Sequence, residues 1–294
     1  MTTASAVEKV CMPSRGSAYS IGAILVDARR LAPLDAERIL HLQRDQGLRF
    51  GDAGLRLGLL TEADIQFALA RQYDYPYLVK GEESQLSGEL VAAFEPFSPL
   101  VESLRALRSQ LMLRWFNGET DCRALAVVSP QSGDGRSYLA ANLAIVFSQL
   151  GEHTLLMDAD MRKPRQHELF HLDNQHGLSS MLSGRNDAEA VQRVPGFMDL
   201  SVLTAGPLPP NPQELLGRGN FSGLLAELNA EFDVIVIDTP PGVRYADAQT
   251  LCVKARAALL ATRCNHTRLD AASDMATNLS RLGVRVVGGV LSDF

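Results

Sequence analysis

From Arg123 onward, short runs of apolar residues alternate with longer amphipathic stretches. ALAVVSP, TLLMDAD, DLSVLTAG, DVIVIDTPP, ARAALLATR and VRVVGGVLSD are the apolar runs. Between them lie stretches with helical periodicity: residues 136–150, NFSGLLAELNAEF and LDAASDMATNLSRLG. Runs that are apolar throughout suit strands covered on both faces. The alternation therefore predicts an α/β fold, a mostly parallel sheet with helices on both faces. In such sheets ligands bind beyond the carboxyl ends of the strands.

The first part of the chain follows a different pattern. Residues 20–43 and 49–72 are alike at an offset of 29 residues. Gly22 aligns with Gly51, Leu31 with Leu60, Asp35 with Asp64, Leu40 with Leu69, and Gln43 with Gln72. Each copy reads as a short helix, a polar or proline-marked break, and a second apolar-periodic helix. Thr61 to Asp64 has the layout of a helix N-terminal box. The pattern predicts a disordered polar tail over 1–18 and a small, mainly helical domain over 19–79. A linker is expected over 80–99, where KGEESQLSGEL is polar and EPFSPL carries two prolines. The α/β domain would fill 100–294, opening on a helix over about 100–116.

Composition narrows the function classes. A chain of 294 residues with 46% hydrophobic and 21% charged positions is globular and long enough for about two domains. A net charge of −6 provides no basic field to attract nucleic acid or anionic lipid. Cys11, Cys122, Cys252 and Cys264 are scattered without metal-type spacing, as suits free thiols in a reducing cytosol. No apolar run reaches the ~18 residues of a membrane span, and the N-terminal stretch lacks the apolar core of a signal peptide. A cytoplasmic protein is expected.

Four elements fall at predicted strand ends. The first is SPQSGDGRSY (129–138). Gly133 and Gly135 let backbone N–H groups turn toward phosphate oxygens at a helix N-terminus, and Ser137 is placed to ligate Mg²⁺. The usual P-loop pattern has Gly at 130 and Lys at 136, where this chain has Pro130 and Arg136; a plain strand-to-helix turn is the alternative. The second and third are Asp158-Ala159-Asp160 after TLLM and Asp238 after VIVI. Four apolar residues followed by an acid resemble a Walker B arrangement, whereas a lone acid after a strand more often caps a helix. Three such acids following a glycine loop favour a nucleotide site. The fourth, AGPLPPNPQELLG, reads on physical grounds as a rigid proline loop leading into a helix capped by Asn211.

Taken together, SPQSGDGRSYLAANLA, LLMDADMRKP, GPLPPNPQELL and VIVIDTPP resemble the bacterial tyrosine kinases. These are P-loop proteins akin to the MinD and partition ATPases that control exopolysaccharide polymerisation and export. The GRSY variant and short C-terminus are most similar to the EpsG-type chain-length-determinant kinases. The resemblance implies ATP and Mg²⁺ held by Gly133, Asp134, Gly135, Arg136, Ser137 and Tyr138. It implies a metal set of Ser137, Asp158 and Asp238, with Arg136, Asp158 and Asp160 catalytic. Asp158 would be the nearer neighbour of Mg²⁺ and of the incoming tyrosine hydroxyl. The helix ESLRALR matches the family's E-x-x-R-x-x-R, which implies homo-oligomer assembly through Glu102, Arg105 and Arg108; the alternative is a solvated face with i,i+3 ion pairs. An inner-membrane chain-length determinant is the implied partner.

The chain departs from the family in three places. Arg136 replaces a compact ammonium with a planar fork. No tyrosine follows Tyr245, although relatives end in a tyrosine cluster. Ser292 stands where relatives commonly carry Asn near the adenine. Tyr73, Tyr75 and Tyr77 are either acceptors or packing residues at a helix exit. The repeated helical segments resemble the N-terminal domain of type II secretion ATPases, some of which bind cyclic di-GMP. Arg49-Phe50-Gly51 comes close to the binding motif Arg-Leu-Gly. Ser20-Ile21-Gly22 lacks the arginine, and Arg29 stands where Gly58 stands in the second copy, so a protein-docking module is the competing expectation. The overall expectation is an ATP-dependent tyrosine (auto)kinase, with a nucleotide-gated scaffold as the alternative and a partition ATPase as a third reading.

Overall fold

The computed structural model describes residues 20–72, 86–118, 121–185 and 189–293. The chain divides into two compact units, Met1–Tyr75 and Pro76–Phe294.

The first unit is helical: α1 (Ile21–Asp27), α2 (Pro33–Gln46), α3 (Phe50–Arg56) and α4 (Glu62–Gln72). The 29-residue offset carries α1 onto α3, end to end. Packing follows the same symmetry, with α1 against α4 and α2 against α3. The helix exits repeat bond for bond. Arg30 N donates to Leu25 O at 2.9 Å, and 29 residues on Leu59 N donates to Gly54 O at 3.0 Å. These are the six-to-one bonds of a helix C-cap, which needs a left-handed residue just before the donor. Gly58 (φ 65°) supplies it in one copy and Arg29 (φ 56°) in the other. The Thr61 box forms as expected: Thr61 N donates to Asp64 Oδ2 at 3.0 Å and Asp64 N to Thr61 Oγ1 at 3.2 Å. Leu25, Leu31, Ile39, Leu60 and Phe67 form the small core.

The second unit opens with α5 (Val91–Phe94) and α6 (Pro99–Arg114), then β1 (Ala124–Val128), α7 (Arg136–Ser148), β2 (Thr154–Asp158), α8 (Gln166–Phe170) and α9 (Leu178–Leu182). It continues with β3 (Val191–Arg193), β4 (Leu200–Leu203), α10 (Pro212–Gly217), α11 (Gly219–Glu231), β5 (Val234–Asp238), α12 (Asp247–Ala255), β6 (Ala257–Arg263), α13 (Leu269–Arg281) and β7 (Arg285–Ser292). The strands form one sheet in the order β3-β4-β2-β5-β1-β6-β7. Every pairing is parallel except β3 with β4. β1, β2, β4 and β5 are buried along their whole length, which is why their sequences carry no alternation. α7 is buried nearly all round, packing on β1, β2 and β5 with α5 and α6 on its other side.

Two sequence expectations need correction. Residues 86–98, placed in the linker, pack as part of this unit. Leu90, Ala92 and Ala93 are fully buried, Ala92 N donates to Asn142 Oδ1 at 2.9 Å, and Gln149 Nε2 donates to Ala92 O at 2.9 Å. A four-residue helix is too short for its periodicity to register against the flanking prolines. Asn211 sits at the N-cap of α10 but its side chain accepts no bond there; its amide donates to Glu214 Oε2 at 3.2 Å. The short edge strand β3 is an addition, three residues with no apolar run to announce it.

Candidate nucleotide site

The sheet order determines the site. β1 lies between β5 and β6, and β2 flanks β5 on the other side, so the loop after β1 opens beside the ends of β5 and β2. Asp158 and Asp238 pair in register at the ends of β2 and β5. The glycine loop thus runs beside two facing carboxylates.

In that loop Gly133 (φ 89°) and Gly135 (φ 86°) are left-handed, and Gly135 is the N-cap of α7. Such turns aim backbone N–H groups at one concavity, where the helix N-terminus adds partial positive charge. Asp134 is not free to face a ligand with its carboxylate. It accepts from Gln131 N at 2.8 Å and from Thr267 Oγ1 at 2.6 Å, bracing the loop from behind. The β6–α13 connection holds the loop from the same side: His266 Nε2 lies 3.2 Å from Ser132 O.

Arg136 is buried and fully engaged on one edge. Its Nε donates to Thr239 O at 2.7 Å, and its Nη1 donates to Ser129 Oγ at 2.5 Å and to Gln131 O at 2.8 Å. Nη2 stands 4.0 Å from Asp160 Oδ2. The guanidinium fork ties the end of β1, the glycine loop and the end of β5 together, with only the Nη2 edge left for a phosphate oxygen.

The three acids are brought together but differ in access. Asp158, expected as the nearest neighbour of cation and hydroxyl, has no exposed surface and does not line the cleft. Its oxygens accept from the backbone N–H groups of Asp160, Arg165 and Gln166 at 3.1, 2.9 and 2.9 Å, so it organises the turn that follows β2. Burial, and then the charge of Asp238, push its carboxyl well above the ordinary value. Asp160 lines the cleft. It accepts from Lys163 N and Arg162 N, and burial raises its pKa. Asp238 is raised by burial against the lowering pull of Arg136, Ser137 and Gln166. Gln166 Nε2 donates to Asp238 Oδ2 at 2.7 Å. Motif spacing did not single out Gln166, because it lies eight residues beyond Asp158 with no fixed pattern to mark it.

The cleft has a volume of about 1210 Å³. Residues 132–139 and Asp160 form one end. Arg162, Lys163, Arg165, Arg244 and Arg263 add positive charge around it, and Leu100, Leu104, Leu107, Val290 and Leu291 provide an apolar stretch. Arg162 is held between Asp247 (2.7 Å) and the ring of Tyr245, which lies 4.0 Å from the guanidinium carbon. Tyr138 is half-buried on the wall; burial, then Glu89 and Glu95, raise its pKa. Ser292 Oγ donates back to Thr262 O at 3.0 Å. An anion-receiving end joined to an apolar stretch fits a nucleoside triphosphate. Ser137 and Asp238 are hard oxygen donors of the kind Mg²⁺ takes, and Asp238 Oδ1 is buried with no hydrogen-bond partner. Among the described residues no group of three or more His, Cys, Asp or Glu could hold a metal ion.

On α6, Arg105 pairs with Glu102 at 3.0 Å and also donates to Pro96 O. Arg108 Nη1 donates to Val146 O at 2.7 Å. Of the solvated, ion-paired face, only the Glu102–Arg105 pair forms within the chain; Arg105 and Arg108 are part-buried and also bond to backbone carbonyls. Tyr73, Tyr75 and Tyr77 lie outside the described residues. No helix among the described residues is long and apolar enough to cross a membrane.

Comparison with known proteins agrees with this geometry. Residues 122–291 match the ParA family, described as NUBPL iron-transfer P-loop NTPase. The chain is 34% identical over 215 residues to the tyrosine-protein kinase YwqD of Bacillus subtilis, covering 73% of this chain and 90% of that protein. It is 31% identical over 217 residues to the tyrosine-protein kinase wzc of Salmonella typhimurium, covering 73% of this chain but 30% of that longer protein. Among solved structures, the kinase domain of the Escherichia coli tyrosine kinase ETK superposes with a TM-score of 0.68 at 29% identity, covering 75% of this chain and 85% of that one. The cell division ATPase MinD of Pyrococcus furiosus superposes at 0.50 with 25% identity, covering 57% and 71%.

Proposed function

Because the chain belongs to the bacterial tyrosine kinase family, within the ParA class of P-loop NTPases, we propose that it transfers the γ-phosphoryl group of ATP to tyrosine and so regulates exopolysaccharide chain length and export. The observation that carries this reading is the placement of Ser137 and Asp160 on one cleft beside the left-handed turns at Gly133 and Gly135, with Asp238 buried at the end of β5, the strand next to β1.

The backbone N–H groups of the glycine loop and α7 receive the phosphates. Ser137 and Asp238 would hold Mg²⁺, which neutralises charge on the β- and γ-phosphate oxygens. Asp160, the acid that lines the cleft, accepts the proton of the incoming tyrosine hydroxyl; its raised pKa suits a proton acceptor. Asp158 holds Asp160 in place through the Asp160 N–H bond. Arg162, Lys163 and Arg165 help neutralise the triphosphate. With reactants held in line, positioning and charge stabilisation provide most of the acceleration.

In this reading the chain works at the inner membrane through a chain-length determinant that supplies the membrane span, and copies assemble through the Glu102 helix. The helical unit serves as a docking module, with cyclic di-GMP as its other candidate ligand. The test is incubation with radiolabelled ATP, Mg²⁺ and the partner's cytoplasmic tail. Phosphotyrosine on either protein is the expected result, and its absence from both sinks the kinase reading.

One observation favours a second reading, an ATP-gated scaffold. Three N–H donors of Arg136 are already committed to protein oxygens. On that reading Arg136→Lys gains phosphoryl transfer that the wild type lacks. A wild type that already phosphorylates tyrosine rules it out.

A further inference from the structure

We propose that Gln166 is a positioning residue for the divalent cation, a role that rests on the ATP–Mg²⁺ reading above. Gln166 opens α8 and is completely buried. Its backbone N–H donates to Asp158 Oδ2 at 2.9 Å. Its side-chain Nε2 donates to Asp238 Oδ2 at 2.7 Å and to the carbonyl oxygen of Ser137 at 3.1 Å. One residue therefore joins the end of β2, the end of β5 and the first turn of α7.

These bonds fix the amide's orientation. Nε2 faces two oxygens, so turning the amide over would set Oε1 against both. Oε1 consequently points the other way, and it is buried without a hydrogen-bond partner. Asp238 Oδ1 is in the same condition. Buried polar atoms in folded proteins nearly always have partners, so two bare acceptors on one hydrogen-bonded pair call for a donor. Mg²⁺ sheds its water shell reluctantly and keeps several waters, each a donor to outer oxygens. Asp238 Oδ1, on the carboxylate that Gln166 holds by its other oxygen, presents an acceptor for that shell. Gln166 acts through Asp238, in the manner of residues that orient a metal's direct ligands.

A brace that serves folding alone would share the bonds but not the metal dependence. The experiment uses the full chain, with the non-hydrolysable analogue AMPPNP as nucleotide and MgCl₂ as metal. Calorimetry gives the AMPPNP affinity in EDTA and across a Mg²⁺ series, for wild type and for Gln166→Met, a change close in volume that removes both polar atoms. The expected result is a rise of about 10–100-fold in the Mg²⁺ concentration that half-tightens AMPPNP binding, with the affinity in EDTA unchanged. A folded Gln166→Met chain with wild-type Mg²⁺ dependence overturns the proposal. Should that variant fail to fold, the side-chain amide signal of Gln166 is followed by NMR in the wild type. It is expected to shift when Mg²⁺ is added to the AMPPNP complex, and a signal that stays still overturns the role. Failure of AMPPNP to bind the wild type at all overturns the nucleotide reading itself, which separates the two failures.

Discussion

The two units handle charge in opposite ways. In the helical unit the ion pairs Arg38–Asp35 and Arg30–Asp64 keep contact with solvent, and no polar or charged side chain is buried among its described residues. In the P-loop unit Asp134, Arg136, Asp158, Asp160, Gln166, Asp238 and Asp247 are all buried. Burying charge costs stability unless partners compensate. The P-loop unit concentrates that cost at the strand ends, where a triphosphate and its cation supply the missing charge. The helical unit carries its strain in the backbone at Arg29 and derives its order from a repeated cap.

The contrast can be broken from either side. The largest effect is expected at Arg136. Arg136→Met leaves Thr239 O and Ser129 Oγ without the Arg136 donor, leaves Gln131 O with the Ser129 hydroxyl alone, and takes from Asp160 the cation at 4.0 Å. A loss of about 3–5 kcal/mol follows, the scale for removing one partner of a buried charged network, measured by denaturant unfolding of the nucleotide-free chain. Next is Asp238→Asn. Phosphotyrosine formation is expected to fall about 10²–10³-fold, the usual effect of removing one preorganised electrostatic contact.

Asp238→Asn should also change the pH dependence of stability. Asp158 and Asp238 both have carboxyls raised above the ordinary 3.8. A raised acid binds its proton more tightly when folded, so its contribution is complete below 3.8 and is lost as pH rises through the folded value. The melting temperature of the metal-free wild type should therefore fall as pH is raised out of the acid range. In Asp238→Asn that slope should flatten, because the charge that most raises Asp158 after burial itself is gone.

In the helical unit the effects are smaller and concern packing and backbone. A Cβ on Gly54 would sit 2.5 Å from Leu60 Cδ1, so Gly54→Ala is expected to cost about 1–3 kcal/mol by overpacking. Arg29→Gly should stabilise by about 1 kcal/mol, since it relieves a left-handed residue that the other copy fills with Gly58. Thermal melts of each variant check both, and a neutral Arg29→Gly would remove the repeat-strain half of the contrast.

Much of this was legible in the sequence because it depends on local pattern. The six parallel strands announced themselves as apolar runs; for β1, β2, β4 and β5, burial on both faces leaves no polar alternation. The repeat showed at its 29-residue offset because Gly22, Leu31, Asp35, Leu40 and Gln43 recur as Gly51, Leu60, Asp64, Leu69 and Gln72; that Arg29 and Gly58 share one cap did not show. The glycine loop and the three acids were found from their places after strands. Access was not legible. Nothing in DAD says that the first acid turns inward to three backbone N–H groups while the second faces the cleft. That division depends on the path of residues 160–166. Gln166 was hidden for the same reason, its partner Asp238 lying on another strand. Residues 86–98 eluded the pattern because they are held by Asn142 on α7 and by Gln149 at its C-cap, both far along the chain.

The most direct test of the central claim, that the buried acids beside the glycine loop form an ATP–Mg²⁺ site, is an equilibrium titration of ATP into the full chain with Mg²⁺ and with EDTA, for wild type and Asp238→Asn. The account predicts that Mg²⁺ tightens ATP binding to the wild type and that this tightening disappears in Asp238→Asn. Equal affinity in Mg²⁺ and EDTA for the wild type, or full Mg²⁺ dependence retained without the Asp238 carboxylate, would contradict it.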